Sequence, residues 1–145
     1  MNDIAKQTEA IQLSIYCNII CQLLKSHKNL SICKILVFSY LIKQNKFLGK
    51  SIYTAKNKQD VVLKGLSLLS GDFEWFCNSI PYIIKALHIL INKGIVSLDS
   101  EILALNSDEL EFEIVYPENR FIKNVIEKSK SMTDRQFMKE VTYNV

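Results

Sequence analysis

Arginine is nearly missing from this chain: of its 18 basic residues only Arg120 and Arg135 carry a guanidinium, and the rest are lysine. Nucleic-acid readers use the guanidinium fork for two-point contacts to phosphate and guanine, so this composition argues against base reading as the main task. Glycine is also scarce. The four present, Gly49, Gly65, Gly71 and Gly94, are isolated, and none opens a GxxxxGK[ST] or GxGxxG arrangement that could cradle a nucleotide phosphate. Histidine is limited to His27 and His88, neither beside a serine or cysteine in a nucleophile-type context. The four cysteines, Cys17, Cys21, Cys33 and Cys77, lack the paired short spacings of a zinc site, so reduced, buried, structural thiols are expected. Lys25, Lys34, Lys43 and Lys85 interrupt every apolar run before it reaches the roughly 18 residues that a membrane span needs. No basic, apolar, small-residue leader is visible near Asp3 and Glu9, and the expected location is the cytoplasm. Together these absences point to a non-catalytic protein that takes no cofactor and no metal.

What the chain does have is apolar surface arranged for helices. Its 145 residues are 48% hydrophobic and 23% charged, enough for a real core in one domain spanning 1–145. The organising stretch is SIPYIIKALHILINKGIVSLDSEILALN, Ser79 to Asn106. Ser79 is placed to cap a helix with Pro81 in its first turn, and Ile80, Ile83, Ile84, Leu87, Leu90 and Ile91 form a broad stripe. Lys93 and Gly94 supply the stop. Beyond it, Ile95, Val96 and Leu98, then Ile102, Leu103 and Leu105, flank the polar turn Asp99-Ser100-Glu101, which predicts a short hairpin. A long helix running into such a ribbon predicts a winged helix-turn-helix-like domain, mainly α with a small β-wing.

Around that unit the periodicity predicts an N-terminal helix over 4–25, with Ile4, Ile11, Ile15, Ile19, Ile20, Leu23 and Leu24 facing inward. Ser26 to Asn29 breaks it. Ser31 caps a second helix, apolar nearly all round and therefore central, and a third starts near Lys58 and stops by Gly71. Trp75 and Phe76 are expected to fill the corner before the long helix. Alternation of Leu110, Phe112, Ile114 and Tyr116 with Glu111, Glu113 and Val115 favours a third strand over 110–116, a short helix being the competing assignment. The winged core then covers about 31–116, and a helical tail follows over 118–145, where Thr133 and Gln136 have capping-box spacing.

Charge is split along the chain. From Lys25 to Lys64 nine lysines face the single Asp60, a local charge of +8, whereas Asp99 to Glu118 carries seven carboxylates and no base. Such a dipolar field can set the register and encounter rate of partners. Lys43, Lys46 and Lys50 on one side and Glu111 and Glu113 on the other are the candidate partner-binding residues. For DNA binding, the alternative that a winged helix raises, Lys85 and Lys93 are the candidates, but the acidic wing turn would repel the phosphate backbone.

The lysine-rich front half with LSICKILVFSYLIKQNKFL, the unit IKALHILINKGIVSLDSEILALN and the ending DRQFMKEVTYNV resemble the middle components of bacterial ABC-three-component systems. Those small winged-helix-like proteins are encoded beside a large ABC ATPase and an effector protein in conflict or antiviral defence systems. The resemblance covers most of the chain through hydrophobic patterns. It implies an adaptor that links the ATPase to the effector through protein–protein surfaces, with no catalytic residue to carry over and no membrane contact.

Overall fold

The computed structural model describes residues 3–44 and 58–143. The sequence splits them into helices and strands in the order α1 (Asp3–His27), β1 (Asn29–Ser31), α2 (Ile32–Gln44), α3 (Lys58–Leu66), α4 (Phe73–Asn92), β2 (Val96–Asp99), β3 (Ile102–Leu105), α5 (Arg120–Ser129) and α6 (Asp134–Tyr143). The described chain is thus mainly helical with one small antiparallel sheet, ordered β1-β3-β2. Lys46 and Lys50 lie outside the described residues.

Helix α2 has little polar surface to give to water, and it occupies the middle. Ile35, Val37, Phe38, Tyr40, Leu41 and Ile42 are buried, and α1, α4, α6 and β1 all pack against it. Ser31 Oγ accepts from the Lys34 N–H at 3.4 Å, the N-cap the sequence predicts. Ile19, Ile20, Leu23 and Leu24 bring the C-terminal half of α1 into the same core, and Phe121, Ile122, Val125, Phe137 and Val141 bring α5 and α6. Phe38 and Phe137 meet with ring centroids 5.4 Å apart. Gly65 of α3 is needed for this layer, because a Cβ there would lie 2.5 Å from Val125 of α5.

The expected hairpin forms. Gly94, at φ +73°, ends α4 with two bonds, Gly94 N–H to the Ile91 carbonyl and Ile95 N–H to the Leu90 carbonyl, both 3.0 Å. That pair is a Schellman stop, and it turns the chain back onto the helix that precedes it. Ser100 and Glu101 both have positive φ, 51° and 68°, the two-residue turn whose twist suits paired strands. The Glu101 carbonyl then accepts from Ile32 N–H at 3.2 Å, so the turn is tied to the first residue of α2.

Several expectations are corrected. The third strand is not 110–116 but β1, which starts at the last residue of the break read after the first helix: Leu30 pairs with Leu103 and Ser31 with Ile102. Since β2 already holds the other side of β3, no edge of β3 is left for 110–116. That stretch has neither strand nor helix and crosses α1 instead, its backbone bonded to side chains there: Lys25 Nζ donates to the Leu110 carbonyl and Asn18 Nδ2 to the Glu113 carbonyl, both 2.6 Å.

Helix α4 begins at Phe73, not at Ile80, so Pro81 sits inside it, and Ser79 Oγ donates back to the Trp75 carbonyl at 3.0 Å instead of capping. The extra turns are favoured by burial of Phe76 against Tyr40, whose hydroxyl donates to Asp72 at 2.9 Å. Trp75 points outward, 68% exposed, and does not fill the corner. Ile4 and Ile11 are exposed as well, because the first turns of α1 run past the core that buries its later ones. Cys77, expected buried, is on the surface of α4.

Candidate interaction surfaces

An apolar groove runs between α4 and the sheet. Ile84, Leu87 and Ile91, one turn apart on α4, form one wall, and Ile32, Leu98 and Leu103 form the other around about 250 Å³. Its position follows from the Schellman stop, which sets the distance between helix and hairpin. Ile84 and Leu98 remain substantially open to solvent, and His88 and Asn92 stand at one edge. The exposed carboxylates of Asp99 and Glu101 lie on the adjoining turn. An oily centre beside an acidic edge suits a polypeptide surface better than a polyanion.

The lysines proposed for DNA fare differently from one another. Lys85 Nζ is 2.5 Å from Glu9 Oε1 of α1, and this hydrogen-bonded carboxylate raises the lysine above its ordinary range. Lys93 caps the C-terminus of α4 and is exposed. One of the two ammonium groups is therefore already matched to an acid.

Of the partner-binding candidates, Lys43 is half-buried, its Nζ 5.7 Å from the Tyr16 ring centre, and burial lowers its pKa. Glu111 and Glu113 are exposed on the segment that crosses α1. The acidic and basic stretches also meet on the surface of α1, where Lys25 holds the Leu110 carbonyl and sits 5.5 Å from the Phe112 ring centre.

The most densely bonded polar cluster was not legible beforehand. His27, 3% exposed at the end of α1, lies between Glu118, 2.9 Å from its Nε2 and itself buried, and Glu127 of α5, bonded to Nδ1. Lys130 Nζ donates to the His27 carbonyl and lies 3.6 Å from Glu127. Burial opposes charge on the ring, but hydrogen bonds and charge from Glu118 and Glu127 outweigh it and raise the histidine pKa. The same burial works against the Glu127 carboxylate, and His27 and Lys130 overcome it and lower its pKa. Ninety or more residues separate the histidine from each carboxylate, so no spacing rule joins them.

Burial, followed by the neighbouring Cys17, pushes the Cys21 thiol up to about 11, which keeps it protonated and unreactive near neutrality. Among the described residues no group of His, Cys, Asp and Glu is placed to hold a metal ion, and no helix is long and apolar enough to cross a membrane. No protein-family model, no curated protein and no solved structure matches this chain.

Proposed function

We propose that this chain is a non-catalytic adaptor that works by binding other proteins. The observation that carries the proposal is the groove between α4 and the hairpin, open at Ile84 and Leu98, with Asp99 and Glu101 exposed on the hairpin turn next in sequence. The helix-plus-ribbon unit, with β1 completing its sheet, supports a winged-helix assignment, and the acidic turn favours a protein-contacting version of it. The resemblance to ABC-three-component middle components supplies the classes of partner, an ABC ATPase and an effector protein.

The test is whether an ABC ATPase and an effector protein are encoded in neighbouring genes and co-purify with the 145-residue chain. Ile84→Asp and Leu98→Asp should abolish capture of one partner while leaving the fold intact, because both side chains are exposed. Charge reversal at Glu111 and Glu113, or at Lys43, Lys46 and Lys50, should slow association and change its salt dependence. Capture unaffected by all of these would refute the adaptor. DNA affinity that falls steeply with salt and depends on Lys85 and Lys93 would instead establish a winged-helix DNA-binding regulator.

A further inference from the structure

On another part of the surface, a cavity of about 400 Å³ lies where β1 and the start of α2 meet the link between α5 and α6. Leu30, Ile102 and Met132 give it apolar walls, and Lys34, Lys130 and Asp134 are its charged residues. Ligand sites have this size and this ratio of apolar wall to a few fixed polar groups.

The charges are not balanced. Lys34 is only 7% exposed, yet among the described residues no carboxylate lies within 4.0 Å of its ammonium. Nζ is held by one backbone acceptor, the Met132 carbonyl at 2.8 Å, and sits 5.9 Å from the Phe137 ring centre. One carbonyl uses one of three N–H donors. Burial, partly opposed by Asp134, lowers the lysine's pKa, which is the mark of a cation lacking a full counter-charge. Lys130, in contrast, already has Glu127 at 3.6 Å and the His27 carbonyl. With Lys130 matched by Glu127, Lys34 is, among the described residues, the one ammonium of the lining without an ion pair, since Asp134 acts on it only from beyond 4.0 Å.

We infer that this cavity binds a monoanionic carboxylate carrying an apolar body, with the carboxylate on Lys34 and the body against Leu30, Ile102 and Met132. A phosphate dianion fits less well, since its second charge would find no unpaired ammonium beyond Lys34 among the described lining residues and would meet Asp134. The carboxylate has two chemical sources, a small organic acid or the C-terminal residue of a peptide with an apolar side chain. This site is separate from the α4 groove, and its occupancy does not depend on the adaptor proposal.

The experiment is an amide chemical-shift titration of the full chain with hexanoate, acetate, inorganic phosphate, and a leucine-terminated peptide as its free acid and as its amide. Saturable shifts confined to 29–34, 102 and 130–134 are expected with hexanoate, with acetate at least about tenfold weaker for want of an apolar body. Lys34→Met should weaken hexanoate by at least about tenfold. Ile102→Trp, at a position open enough to accept it, should block the cavity without touching any charge, and it guards against a Lys34 variant that folds poorly. A free-acid peptide tighter than hexanoate, with its amide silent, assigns the ligand to a chain terminus; the reverse order assigns it to a small acid. No saturable shift from any carboxylate, phosphate tighter than hexanoate, or binding unchanged in both variants would overturn the inference.

Discussion

Two helices in this molecule end the same way with different residues. α4 stops at Gly94, φ +73°, and α1 stops at Lys28, φ +72°. Glycine reaches that conformation without a Cβ penalty, whereas any other L-residue is strained there. At Gly94 the stop is local, made by backbone bonds to Ile91 and Leu90 within the same turn. At Lys28 a single local bond, Lys28 N–H to the Leu24 carbonyl at 3.0 Å, is joined by distant ones: His27 is clasped by Glu118 and Glu127, Lys130 holds the His27 carbonyl, and Asn29 to Ser31 pair with β3. A glycine stop needs little help from the fold, and a lysine in the same shape needs much.

The contrast can be broken first at the C-terminal helices that hold the α1 end in place. Phe137→Ala removes a fully buried ring packed at a tilt against Phe38 and should cost about 3–5 kcal/mol in chemical denaturation, the largest effect expected. Next is the clasp itself. His27→Gln leaves Glu118, whose side chain is 1% exposed, without its partner, and should cost roughly 1–3 kcal/mol.

The clasp also predicts a pH profile. Because the folded His27 pKa is raised, its contribution is complete below the unfolded value of 6.5 and is lost as pH rises through the folded one. The folded Glu127 pKa is lowered, so its contribution is complete above 4.5 and is lost as pH falls through the folded value. Melting temperature should therefore peak between those two values and decline toward alkaline pH, and His27→Gln should flatten the alkaline decline.

Smaller effects sharpen the comparison at the two stops. Gly94→Ala meets no neighbour within 4 Å, so its cost is conformational alone, about 1 kcal/mol by equilibrium unfolding. Lys28→Gly should do the opposite and stabilise by a few tenths to about 1 kcal/mol, the strain relieved being partly offset by the freer unfolded chain. A Lys28→Gly variant less stable than the parent would show that the lysine side chain, not the distant clasp, holds that end.

The same division separates what could be read in advance from what could not. The hairpin, the stop at Gly94, the central α2 and the Thr133–Gln136 capping box follow from neighbours a few residues apart, and both capping bonds are present at 3.0 and 3.1 Å. One wall of the α4 groove was likewise visible in the spacing of Ile84, Leu87 and Ile91. Its other wall needed the sheet. The alternation over 110–116 was misleading because a period of two describes an extended chain, and a strand also requires a strand to pair with, whereas this segment's carbonyls go to Asn18 and Lys25 of α1. The second edge of β3 went to β1, whose three residues are too few to show any pattern.

By itself, then, the order of residues determined where α4 stops, where the hairpin turns and where α2 and α6 are capped, because caps, glycines and apolar stripes act within one or two turns of backbone. Only the tertiary structure decided which β3 edge was filled, why His27 is matched by two distant carboxylates, and why Lys34 is buried without one. Those outcomes depend on groups about a hundred residues apart competing for the same space and the same charge, and no local pattern records who wins.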